Sequence, residues 1–94
     1  MIAILAKIPV KAGSEAEFEQ AMLAMAAQVR ANEPGNHLYT LCKGDDGSYT
    51  MMELYEDEAA IEAHRSSEHF KAGGASLAPY IAGAPEITTL PVIG

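Results

Sequence analysis

The sequence predicts an α+β domain in the order β-α-β-β-α-β, built around an antiparallel sheet. Three observations carry that expectation. The N-terminal run IAILAKIPV (2–10) is rich in β-branched residues and reads as a strand. Phe18, Met22, Met25 and Val29 recur at i, i+4, i+7 and i+11, the stripe of one helix face. HLYTLCK (37–43) and YTMMELYE (49–56) flank GDDGS, the composition of a hairpin turn.

Taken in order, the first strand is apolar on both parities: Ile2, Ile4, Ile8 and Val10 on one, Ala3 and Leu5 on the other. Only Lys7 interrupts it, the pattern of a strand covered on both faces. KAGS then punctuates, and Ser14 with Glu17 three residues on makes a capping-box pattern that opens the helix. NEPGN (32–36) stops that helix, because Pro34 cannot continue it and Gly35 supplies a turn. After the hairpin, Asp57 is placed to cap a short helix carrying Ile61 and His64. Ser66-Ser67 restarts it, and a helix with Phe70 and Leu77 runs on through AGGA (72–75). APEITTLPVI (84–93) closes as a fourth strand, with Pro91 suited to a sheet edge or tail. This order is the split βαβ, or ferredoxin-like, arrangement.

Right-handed crossovers place both helical segments on one face of that sheet. The first strand is central and apolar on both sides, so the other face needs cover too. Each exposed Ile or Leu that is buried contributes roughly 1.5–3 kcal/mol. A second copy, sheet against sheet, is the expected cover, which makes the chain a homodimer.

Composition excludes several classes. Six Lys and Arg against thirteen Asp and Glu give a net charge of −7 over 94 residues, which argues against nucleic acid or an anionic membrane as partner. The length suits one domain, 1–94. A single cysteine, Cys42, excludes an internal disulfide and fits a reducing compartment. No stretch approaches the roughly 20 apolar residues of a membrane helix, so a soluble, cytoplasmic protein is expected. There is no G-x-G-x-x-G, P-loop or CxxC.

The opening strand followed by KAG, the NEPGN turn and E-x-Y-x-D-E-x-A-x-x-x-H-x-S-S-x-H-F (53–70) together resemble the antibiotic-biosynthesis-monooxygenase family of dimeric α/β barrels. The resemblance spans essentially the whole chain. Segment 53–70 is most similar to the small quinol monooxygenases and the phospho-autoinducer isomerases of that family. It implies a cleft between sheet and helices in each subunit. It also implies oxidation of a small quinol-like or polyketide aromatic by molecular oxygen, with no flavin, haem or metal cofactor. Tyr55 stands where the family usually has tryptophan. The asparagine and tyrosine of the anthrone-oxidising members correspond to Met51 and Ile61 here, which argues against an anthrone-type mechanism. The residues needed for haem degradation correspond to Ala6, His64 and Gly74, which argues against that activity.

Strand parity puts Tyr49, Met51, Glu53 and Tyr55 on one face, the face that lines the cleft in the family. His64 is the candidate base, since imidazole titrates near neutrality. Glu53 is read as acid/base or as the orienter of His64, against a purely structural hydrogen bond. Tyr55 is read as a hydrogen-bonding group for a substrate oxygen. Tyr39, Met51, His69, Phe70 and His37 are the candidate substrate-binding residues. On a continuous helix His69 would point about 140° away from His64, so it joins the site only if the Ser66-Ser67 break reorients it. That i, i+5 spacing, with no cysteine pair, argues against a metal site. Cys42 has no identifiable activating partner. A second reading is an isomerase or degrading enzyme for a phosphorylated signalling sugar, which needs Lys7, Lys43, Arg65 or Lys71 at the pocket mouth. A third is a dimer that binds a small molecule without turning it over.

Overall fold

A computed structural model describes residues 1–94. Strands β1 (Ile2–Ile8), β2 (Asn36–Lys43), β3 (Tyr49–Tyr55) and β4 (Glu86–Pro91) form one antiparallel sheet in the order β2-β3-β1-β4. The expected element order and fold class are both present.

The register sorts the side chains into two unlike faces. Tyr39, Glu53, Ile4 and Thr89 lie abreast across the four strands, as do Leu41, Met51, Ala6 and Ile87. On this face Ile4, Ala6, Ile8, Tyr39, Tyr49, Met51 and Tyr55 are buried beneath the helices. The opposite face carries the rows Leu38-Leu54-Ala3-Leu90 and Thr40-Met52-Leu5-Thr88. No element covers it, and Leu38, Met52 and Leu90 are 39%, 41% and 46% exposed. Lys7 and Glu86 pair across the end of that face, so its apolar part stops there.

The first strand is shorter than 2–10. Pro9 has no N–H to donate, so the ladder ends at Ile8 and Val10 makes a separate bridge to Ile81. The last strand is likewise confined to Glu86–Pro91, an edge where Pro91 opposite Ile2 leaves no partner unbonded.

Helix α1 (Glu15–Asn32) buries Phe18, Met22, Met25, Ala26 and Val29 on the sheet, the stripe visible in the sequence. Its start differs from the capping-box expectation. The Ser14 side chain makes no capping bond; the Glu15 carboxylate accepts from the Gly13 N–H at 2.8 Å instead. Gly13 makes that reversal possible with φ of +89°, a conformation open to glycine.

The second helical segment is two helices, α2 (Glu58–Ser66) and α3 (Glu68–Leu77). Asp57 caps α2 by accepting from the Ala60 N–H at 2.9 Å. Ser67 lies between the helices in extended conformation, φ −71° and ψ 151°. Its hydroxyl accepts from the Phe70 N–H at 3.1 Å and donates to the His64 carbonyl at 2.7 Å, capping one helix and closing the other. Ser67→Ala is expected to lower stability by about 1 kcal/mol, read as a reduced urea midpoint at unchanged slope. No helix is long and apolar enough to cross a membrane.

Candidate active site

Between the helix-covered face of the sheet and helices α2 and α3 lies a cavity of about 220 Å³. Ile4, Ala6, Tyr39, Met51, Glu53 and Tyr55 line it from the sheet; Ile61, His64, Arg65, Phe70, Gly74 and Leu77 line it from the helices. The two glycines of AGGA divide two roles. A Cβ on Gly73 would collide with Met25 Cε, so Gly73 lets α3 close on α1, whereas a Cβ on Gly74 would meet nothing and its place opens into the cavity.

His64 is the polar centre of this space. It is 5% exposed, with its ring 4.7 Å from Phe70, 5.3 Å from Tyr39 and 5.6 Å from Tyr55, centroid to centroid. Nδ1–H donates to both carboxylate oxygens of Glu33, at 2.9 and 3.1 Å. A carboxylate only accepts, so that contact holds a proton on Nδ1; in the neutral imidazole the lone pair is then on Nε2, which has no hydrogen-bond partner within the protein.

Glu33 is the functional residue that sequence reasoning missed. NEPGN reads as a stop signal, and it is one, with Glu33 as the C-cap of α1. The same residue also occupies the next step of the buried stripe, since 18, 22, 25 and 29 continue to 33. A carboxylate on an otherwise apolar stripe was the available signal. Glu33 also accepts from His69 Nε2–H, so one buried carboxylate ties both imidazoles together.

The orienter of His64 is therefore Glu33 and not Glu53. Glu53 instead accepts the Tyr55 hydroxyl at 2.6 Å within the sheet. Burial pushes the Glu53 carboxyl above the usual carboxylate range, opposed by the Tyr55 hydrogen bond and by His64. Burial, then the Glu53 charge, raises the Tyr55 hydroxyl, and burial does the same to Tyr39. Tyr55 has its proton directed to Glu53, so toward a substrate it presents only a lone pair. The Tyr39 hydroxyl has only the Met25 sulfur as acceptor, at 3.5 Å, and is the freer donor.

The remaining expectations divide. Met51 and Phe70 line the cavity. His69 reaches His64 only through Glu33 and lines a separate surface groove between α1 and α3. The Ser67 break makes this possible: it ends the continuous-helix geometry that would hold the two imidazoles apart, and their ring centroids lie 6.5 Å apart. The spacing argument against a metal-ligand cluster fails for the same reason. His37 lies outside the cavity. The register shift between Asn36 and Leu38 turns it outward, where it pairs with Glu56 at the surface. Of Lys7, Lys43, Arg65 and Lys71, only Arg65 lines the cavity. Cys42 sits on the uncovered face, its thiol 3.5 Å from the Met52 sulfur.

Comparison with known proteins bears on the family and the fold. Residues 1–75 match the family model described as antibiotic biosynthesis monooxygenase. The chain is 34% identical over 73 residues to the protein named "Putative monooxygenase YcnE" of Bacillus subtilis (strain 168), covering 76% of each. A solved structure described as a "putative antibiotic biosynthesis monooxygenase" from Caulobacter crescentus CB15 superposes with a TM-score of 0.94 at 39% identity, over 99% of this chain and 90% of that one. One with the same description from Nitrosomonas europaea shares the fold, with a TM-score of 0.91 at 20% identity over the whole of both chains. With its family model matched over most of its length, the chain belongs to the antibiotic biosynthesis monooxygenase family.

Proposed function

We propose that the chain is a homodimeric, cofactor-independent monooxygenase acting on a small quinol-like aromatic. The observation that carries this reading is the His64 imidazole, held on Nδ1 by a buried carboxylate with Nε2 free, at the wall of an apolar cavity. At about 220 Å³ the cavity falls below the roughly 300–1,000 Å³ of drug-sized ligand sites, which favours a small aromatic over an extended polyketide.

The reaction needs no outside reductant, because a quinol carries the electrons itself. His64 Nε2 removes a phenolic proton, and Tyr39 donates a hydrogen bond to another substrate oxygen. Met51 and Phe70 hold the ring and exclude water. The electron-rich anion passes one electron to O2, and the radical pair recombines with a C–O bond to a ring carbon. The distal oxygen then takes the proton of that ring carbon as the O–O bond breaks; one oxygen stays on carbon as a carbonyl and the other leaves as hydroxide, which takes the proton from His64. Quinol plus O2 thus gives hydroxyquinone plus water.

Oxygen uptake by metal-free protein over a panel of hydroquinones tests this. His64→Ala is expected to lower the rate by about 100-fold or more, the usual worth of a general base. Absence of uptake by the wild type, or full activity in His64→Ala, would sink the mechanism.

A further inference from the structure

We propose that Glu33, His64 and His69 form a binding site for one divalent transition-metal ion of the zinc type. One oxygen of the carboxylate and one nitrogen from each imidazole lie within 4.8 Å of one another, with Glu33 and His64 buried and His69 partly so. Two imidazoles and a carboxylate are the donor set of a three-ligand zinc site, and imidazole selects zinc-like ions over magnesium or calcium. Bond lengths near 2.1 Å put two ligand atoms on one tetrahedral ion about 3.4 Å apart, so the two imidazole nitrogens approach by roughly 1.5 Å at most while their shorter contacts to Glu33 open to admit the ion.

The three ligands come from elements fixed independently of the ion. Glu33 is the C-cap of α1, His64 lies in the last turn of α2, and His69 lies in the first turn of α3 behind the Ser67 cap. A buried carboxylate at the negative end of a helix favours a cation beside it. In the metal-free protein two imidazole N–H groups meet that need; an ion displaces their protons on binding. His69 opens onto the groove that also carries Gln28 and Glu68, which gives the ion an entry path from solvent.

Glu33 and His69 do not line the cavity, so the ion sits behind His64 and away from substrate. Its effect on chemistry follows from imidazole itself. A metal on Nδ1 leaves the ring proton on Nε2, and the loaded histidine cannot act as a base. This consequence rests on the proposed function; the binding does not.

Tag-free, chelator-stripped protein is titrated with Zn2+ by calorimetry and with Co2+ by visible absorption. One ion per chain at micromolar affinity or tighter is expected, with proton release. Glu33→Gln and His69→Gln are each expected to weaken binding by about tenfold or more, while His37→Gln leaves it unchanged. Circular dichroism checks that each variant is folded; His69 is the more exposed ligand, and its variant suffices alone if Glu33→Gln does not fold. No saturable binding of either ion, or equal affinity in His69→Gln (an adventitious ion only), would overturn the site. Stoichiometric zinc that leaves oxygen uptake intact would overturn the base role of His64 and leave the metal site standing.

Discussion

Glu33→Ala is expected to destabilise the chain by about 2–3 kcal/mol, while Glu56→Ala, which breaks the other histidine–glutamate pair, costs less than about 1 kcal/mol. Both glutamates hold an imidazole, but their surroundings differ. The Glu33 side chain is 7% exposed and its partners His64 and His69 are 6% and 14% exposed, whereas Glu56 and His37 are 56% and 37% exposed. Water replaces the surface carboxylate at once. At the buried site the deletion leaves Nδ1 of His64 and Nε2 of His69 without an acceptor, and each stranded group carries its own desolvation cost. For a domain of this size the loss corresponds to a melting point lower by about 10–20 °C. Urea denaturation of both variants beside the wild type measures the contrast. Similar losses in the two would show that burial does not govern the contact.

Met52→Glu is expected to convert the proposed dimer into a monomer without unfolding it. Met52 lies in the row Thr40-Met52-Leu5-Thr88, on the sheet face that no helix covers, and is 41% exposed in the single chain. A glutamate there remains hydrated in an isolated subunit. In a sheet-to-sheet dimer it would enter an apolar interface, where the one cation of that face, Lys7, stands in the next row and is already set opposite Glu86. A two-fold interface meets the substitution twice. Two buried carboxylates, one from each copy, give a loss of about 3 kcal/mol, on the order of 100-fold in the dissociation constant. Sedimentation equilibrium reads the outcome directly. A wild type with the mass of one chain, or a Met52→Glu variant with unchanged association, would rule out this face as the interface.

The elements were legible because each depends on local pattern. Strand alternation separated Met51, Glu53 and Tyr55 from Thr50, Met52 and Leu54, and the structure keeps that division. The α1 stripe, the Asp57 and Ser67 caps and the GDDGS hairpin follow from short-range chemistry in the same way. Ser14 failed as a cap because Glu15, one residue further on, reaches the Gly13 N–H and fastens the turn differently. Two residues with carboxylates near a histidine competed for one role in the site. Glu53 was the nearer in sequence, but its face of the strand already holds Tyr55, and Glu33 reaches His64 from 31 residues away. That pairing depends on how the end of α1 meets α2, which no single segment encodes. His37 was misplaced for a smaller reason: the extra residue between two ladder pairs turns one side chain outward, and alternation cannot foresee a bulge.

The single extended residue at Ser67 makes this segment sensitive to its length. The kink, rather than the other side chains of α2 and α3, sets the phase that brings both imidazoles to one carboxylate. Adding or deleting one amino acid between positions 64 and 69 would rotate the second helix by about 100° against the first and part them. The count of residues in that segment is thus as much a part of the arrangement as the two imidazoles.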